Sequence, residues 1–99
     1  MGSLWKALAD DSRRRVLLML IDGEMSPGGM AAKFDFTLPA LSTHLRVLKE
    51  AGLVVERREG QRRLYSLNAN GMDELFRFVD SFWAYPLHNL KRYLKGKRS

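Results

Sequence analysis

The sequence predicts a mainly α-helical domain with a small β-hairpin, five helices and a two-stranded wing in all, on three observations. Between Ser26 and Gly52, two short helical patterns are separated by a turn at Asp35-Phe36. Directly after Gly52 comes a strand-turn-strand run, Val54-Val55-Glu56-Arg57-Arg58-Glu59-Gly60-Gln61-Arg62-Arg63-Leu64-Tyr65. Apolar residues at helical spacing then flank this block on both sides. Helix, turn, helix and basic hairpin, in that order, describe a winged helix-turn-helix, an architecture suited to reading DNA.

Leu4, Trp5 and Leu8 predict a short amphipathic N-terminal helix. Asp10 is the expected N-cap of a second helix, starting near Asp11 and ending before Gly23, with Val16, Leu17, Leu20 and Ile21 as its core stripe. Arg13, Arg14 and Arg15 on that helix are expected to pair with carboxylates or to cover apolar surface with their stems, with one of them free for a phosphate. Ser26 as N-cap and Pro27 at the first helical position announce a third helix to about Phe34. Gly28 and Gly29 inside it lower its propensity by about 1 kcal/mol each relative to alanine. Thr37 caps the fourth helix, whose early Pro39 lacks an N–H that would have had no helical partner, and Gly52 ends it.

Leu41, Leu45 and Leu48 recur at i, i+4, i+7 and bury one stripe of the fourth helix. At about 100° per residue the opposite face carries Pro39, Thr43 and Arg46, with Ala40, Ser42 and Val47 on its flanks. These are the groove-facing candidates. Ser42 and Thr43 suit base edges or phosphates, Arg46 can fork onto guanine or a phosphate, and Ala40 and Val47 suit thymine methyl groups. His44 lies about 60° from the core stripe, where it either contacts a phosphate or packs against the neighbouring helix. Lys33 and Lys49 on the helix-turn-helix, and Arg57, Arg58, Gln61, Arg62 and Arg63 around the hairpin turn, are the remaining candidates for DNA contact.

The segment from about Gly71 to Lys95 carries Met72, Leu75, Phe76, Val79, Phe82, Trp83, Leu87, Leu90 and Leu94, a stripe too wide and too aromatic for a helix lying alone on a small domain. Either a ligand pocket or a dimer seam would use it, and the seam is the commoner solution. The expected interface residues are Leu4, Trp5 and Leu8 of the first helix with Leu75, Val79, Phe82, Trp83 and Leu90 of the last. Pro86 cannot donate to the carbonyl of Phe82, so a kink or break is expected near Tyr85.

A chain of 99 residues makes a single domain, residues 1–99, whose modest core would gain from oligomerisation. A formal net charge of +6 favours an anionic partner. With no cysteine, neither a disulfide nor a thiol switch can operate. Only His44 and His88 offer imidazole and no glycine-rich phosphate loop is present, which argues against an enzyme. No stretch is apolar enough to span a bilayer and the N-terminus lacks a signal-peptide pattern, so a cytoplasmic location and no membrane partner are expected. Gly96 to Ser99 reads as a frayed basic tail.

The run from Leu4 to Leu17, with Ala7-Leu8-Ala9-Asp10 and Arg13-Arg14-Arg15, resembles the opening of the ArsR/SmtB family of bacterial repressors, although Asp11 stands where that family usually has proline. The run Leu41-Ser42-Thr43-His44-Leu45-Arg46-Val47-Leu48-Lys49-Glu50-Ala51-Gly52-Leu53-Val54 is similar to its recognition-helix signature, and Arg57 to Leu67 to its wing. Tyr65-Ser66-Leu67-Asn68 and the absence of cysteine look most like the SdpR-type autorepressor branch. The resemblance implies a homodimer, built from the first and last helices, that binds double-stranded operator DNA and represses its own gene. It also frames the metal question. Metal-sensing members carry a cysteine pair where this chain has Glu24-Met25-Ser26-Pro27-Gly28-Gly29, or Asp, His and Glu ligands on the last helix, where this chain has Asp73, Glu74, Asp80 and a single His88. Neither set is complete, so no metal and no cofactor are expected. A winged helix turned to RNA or to protein contact is the remaining alternative.

Overall fold

Side-chain caps decide where the helices begin. In the computed structural model, which describes residues 2–97 and the side chains other than those of residues 2, 82–91, 93 and 97, α1 spans Gly2–Leu8 and α2 spans Asp11–Leu20. The Asp10 carboxylate accepts from the backbone N–H groups of Ser12 (2.7 Å) and Arg13 (3.3 Å), satisfying two donors that the first turn of α2 leaves open. Helix α3, Pro27–Lys33, is capped by Ser26, whose hydroxyl accepts from the N–H of Gly29 at 3.1 Å. Helix α4, Leu38–Glu50, is capped by Thr37, whose hydroxyl accepts from the N–H of Ala40 at 3.2 Å. All three caps are the ones the sequence predicts.

The wing is an antiparallel pair, β1 (Val54–Glu59) and β2 (Arg62–Leu67), joined by the two-residue turn Gly60-Gln61. Its register sets Glu56 opposite Tyr65 and Arg58 opposite Arg63. A third segment joins it: Met25 and Tyr65 exchange both backbone hydrogen bonds, at 3.0 and 2.8 Å, so the approach to α3 is stitched to β2. Helix α5 then runs Ala69–Lys97.

The core lies where α1, α2, α3 and α4 meet the base of the wing. Val16, Met30, Leu41, Leu45, Leu48, Leu53 and Val54 are its largest fully buried side chains. Each such aliphatic side chain contributes about 1.5–3 kcal/mol by leaving water. Arg13 and Arg14 close the end of α1: Arg13 donates from Nε to the carbonyl of Ala7 (3.0 Å) and from Nη2 to that of Lys6 (2.6 Å), and Arg14 donates to the carbonyl of Leu8. Arg15 pairs with Asp11 at 3.1 Å. Arg13 and Arg14 therefore tie α1 to α2, while Arg15 pairs within α2 itself.

Several expectations need correction. Ile21 is the C-cap of α2 and is exposed rather than part of its core stripe: its N–H closes a tightened last turn onto the carbonyl of Leu18 at 3.3 Å, past the last helical residue, Leu20. Val47 is buried, since α4 packs against α1, α2 and β1 and so hides a broader stripe than leucine spacing alone marks. Leu4 and Leu75, assigned to a dimer seam, lie inside the protomer's own core at 5% and 7% exposure, and Leu8 packs half-buried against it. Helix α5 begins two residues earlier than expected and continues through Pro86 to Lys97 without a break. One proline costs a helix about 3 kcal/mol, and the hydrogen bonds on either side of it can carry that in a helix this long.

Candidate nucleic-acid interface

The exposed face of α4 and the wing enclose a groove of about 540 Å³ lined by Pro39, Ser42, Thr43, Arg46, Lys49, Glu56, Arg63 and Tyr65. Five of the residues predicted to contact DNA from α4, together with Arg63 from the wing, are thereby brought to one surface. Ala40, at the start of the same helix, is exposed. Thr43 donates its hydroxyl hydrogen to the carbonyl of Pro39 at 3.1 Å, which leaves its oxygen lone pairs facing outward as an acceptor. Arg58, Gln61 and Arg62 are exposed at and beside the tip of the wing.

Besides the buried Val47, three predicted contacts are turned to other partners. His44 is half-buried beside Phe36 of the turn between α3 and α4, ring centroids 6.0 Å apart, with its Nδ1 shut off from solvent. Arg57 is held away by a two-pronged ion pair with Glu24 (2.6 and 2.7 Å) and by Glu59 at 3.0 Å. That pairing pushes its guanidinium pKa further up and holds the Glu24 carboxyl below the usual carboxylate range. Lys33 lines a different concavity, with Met19, Asp22, Glu24 and Phe34. Strand alternation explains Arg57: Glu56 and Arg58 share one face of β1, and the residue between them points to the other.

Two groove residues lie outside the predicted set, Glu56 and Tyr65. The Tyr65 hydroxyl donates to Glu56 Oε2 at 2.7 Å, Lys49 Nζ lies 3.3 Å from Oε1, and Arg63 Nη1 lies 3.5 Å from Oε2. The tyrosine hydroxyl first, with Lys49 and Arg63 beside it, keeps this carboxyl below its ordinary pKa. Burial and the neighbouring carboxylate raise the Tyr65 phenol. A signal for both is present in the hairpin, since a two-residue turn at Gly60-Gln61 places Glu56 directly across from Tyr65 and on the face of Val54, which turns inward.

An exposed helix face at the second position of a helix-turn-helix, beside a basic wing, defines a DNA-binding regulator. Similarity to known proteins gives the family. The helix-turn-helix domain family matches residues 8–57. The HTH-type transcriptional regulator Rv2034 of Mycobacterium tuberculosis is 41% identical over 83 residues, covering 84% of this chain and 78% of its own. The transcriptional repressor SdpR of Bacillus subtilis is 34% identical over 82 residues, covering 83% and 91%. Among solved structures, a possible transcriptional regulator for arsenical resistance superposes with a TM-score of 0.79 at 40% identity, over 88% of this chain and 91% of that one. The chain belongs to the ArsR family of winged helix-turn-helix transcriptional repressors. It is a DNA-binding protein and not an enzyme.

Proposed function

We propose that this repressor acts as a homodimer, places α4 of each protomer in the major groove of operator DNA and represses its own promoter without metal or thiol chemistry. The observation that carries the reading is the α4–wing groove, in which Ser42, Thr43 and Arg46 face outward between the cations Lys49 and Arg63. Ser42, Thr43 and Arg46 are the base-reading candidates, and Lys49, Arg58, Gln61, Arg62 and Arg63 are the backbone contacts.

The dimer is supported by shape and by exposed apolar surface. The protomer measures 63 by 27 by 24 Å with a radius of gyration of 17.0 Å, against about 13 Å for a compact chain of this length. Along α5, Phe76, Val79 and Leu94 are exposed, and on α1 so is Trp5, which also meets Phe78 edge-on with ring centroids 5.4 Å apart. Phe82, Trp83 and Leu90, the other predicted seam residues, have side chains outside the described residues. A two-fold dimer through α1 and α5 presents two reading heads to successive major grooves.

Metal independence rests on the side chains present. The chain has no thiolate, and Glu24, the carboxylate nearest the position of the family's cysteine pair, is already bound by Arg57. Among the described residues no cluster of three metal-ligating side chains occurs, and His88 lies outside them.

The deciding experiment is a gel shift with duplex DNA from the gene's own upstream region. Retardation of that duplex, with scrambled DNA and RNA unshifted at matched salt, is expected. Equal retardation of RNA would turn the reading toward an RNA-binding winged helix. Zinc, nickel or arsenite added at stoichiometric levels should leave the complex intact.

A further inference from the structure

A carboxylate at the centre of a DNA-binding groove works against phosphate binding unless its position serves a purpose. Glu56 projects from β1 into the groove between α4 and the wing, where three partners from two elements converge on it: Lys49 from α4, and Arg63 and Tyr65 from β2. Tyr65 is itself buried at 6% exposure and paired through its backbone with Met25, so the hydroxyl that orients Glu56 is anchored in the core. Lys49 and Arg63 are both about half exposed, so each can still reach a phosphate.

We infer that Glu56 is a specificity-determining residue, a built-in competitor for phosphate that holds Lys49 and Arg63 in place and penalises DNA not seated in register. Loose, sequence-independent binding relies on long cationic side chains reaching whatever phosphates are near, and here two of them must first loosen their hold on a carboxylate. In the seated complex, a phosphate arriving between α4 and the wing meets the two cations already oriented, and they are shared between the carboxylate below and the phosphate above. A phosphate pressed toward the floor of the groove in any other register meets a fixed negative charge. Discrimination gained by such a repulsive element is independent of any new interaction with bases.

This inference rests on the DNA-binding reading, and its test keeps the two apart. Duplexes are enriched by the unmodified protein from a randomised pool, and affinities for the winning duplex and for its scrambled version are measured across a salt series for wild type and Glu56→Gln. Glutamine keeps the volume and an oxygen for the Tyr65 hydroxyl while removing the charge. Failure of wild type to enrich any sequence would overturn the reading of the site itself. With enrichment in hand, Glu56→Gln is expected to bind scrambled DNA about tenfold more tightly, the scale of one charge–charge repulsion largely screened by water, with a much smaller gain on the enriched duplex. The salt slope on scrambled DNA should steepen by about one to two units as Lys49 and Arg63 become free to displace counterions. In the background of Arg63→Ala, that change of slope should shrink by about half. An unchanged or increased ratio of enriched to scrambled affinity, in a variant whose circular dichroism shows it folded at the assay temperature, overturns the proposal. So does a salt slope that does not move.

Discussion

The Cα of Gly71 lies directly over the carbonyl of Gly52, so close that a Cβ at position 71 would stand 1.8 Å from that oxygen and 2.8 Å from its carbon. Gly52 in turn ends α4 with φ of 78°, in a Schellman arrangement: its N–H bonds the carbonyl of Lys49 and that of Leu53 bonds Leu48, both at 3.0 Å. Asn68 completes the joint, donating from Nδ2 to the carbonyl of Gly52 at 2.9 Å and from its backbone to that of Leu53 at 2.9 Å. The end of α4 and the start of α5 are thus fixed to each other at Gly52, Asn68 and Gly71.

Gly71→Ala should therefore destabilise the fold even though alanine favours helix. The gain in helix propensity is about 1 kcal/mol, while a clash with backbone that cannot swing aside costs about 3 kcal/mol, so the net loss is about 2 kcal/mol and the melting midpoint falls by about 10 °C. Gly28→Ala is the contrasting case. Nothing lies within 4 Å of a Cβ there, so thermal melting should show a gain of up to about 1 kcal/mol.

The joint between Gly52 and Gly71 marks the limit of what is legible in the sequence. Capping residues and leucine spacing act within one turn, so Asp10, Ser26, Thr37 and the stripe of Leu41, Leu45 and Leu48 announce themselves. The close approach of Gly71 to Gly52, the pairing of Met25 with Tyr65 and the Arg57–Glu24 ion pair join residues 19 to 40 positions apart. No local period encodes such a meeting. The basic hairpin reads as uniformly available for phosphate because charge is visible in a sequence and its partner is not. Val47 departs from the face that periodicity assigns it because a helix packed on several sides hides more than one stripe.

Wing and helix should respond differently to substitution. Arg62→Ala and Arg58→Ala are expected to weaken binding to enriched and scrambled DNA alike and to flatten the salt slope by about one unit for each phosphate no longer neutralised. Arg46→Ala should instead change the ranking among operator variants, with about 1–3 kcal/mol at stake for a two-pronged hydrogen bond to a base. If filter binding shows both kinds of variant weakened equally on all DNA, α4 is not the reading element.

Thr43 makes a narrower case. Its hydroxyl hydrogen is committed to the carbonyl of Pro39, so it faces the groove as an acceptor and suits the amino group of adenine or cytosine. Thr43→Val keeps the shape and removes the acceptor. Selection from a random pool should then lose preference at one base pair of each half-site while the rest of the motif is retained; a motif identical to wild type would show that Thr43 reads nothing.

Assembly should depend on the exposed stripe of α5. Phe76 and Val79 are 65% and 40% exposed and make little contribution to the protomer's core, so Phe76→Asp or Val79→Asp is expected to leave the far-ultraviolet circular dichroism near wild type. Sedimentation should show a dimer for wild type at micromolar concentration and a monomer for the variant, and operator affinity should fall with α4 and the wing untouched, because two linked half-sites become one. A stable folded monomer for the unmodified protein removes the basis for the dimer.

Acid should destabilise the protein through three carboxylates whose partners are visible. Burial acts against ionisation of Asp10, yet the N–H groups of Arg13 and Ser12 bring its pKa below 3.8. The Arg57 side chain brings Glu24 below 4.5, and Tyr65 does the same for Glu56. A carboxyl whose pKa is lower folded than unfolded binds its proton more readily when unfolded, so its contribution is fully present above the unfolded value and disappears as pH falls through the folded one. Denaturant stability should then be level from about pH 7 to about pH 5 and decline below about pH 4.5, while Arg57 stays charged throughout. Asp10→Asn retains a capping oxygen but cannot titrate. It should cost less than about 1 kcal/mol at neutral pH and make the acid decline shallower. Stability rising between about pH 5 and about pH 3 would contradict the sign of all three shifts at once.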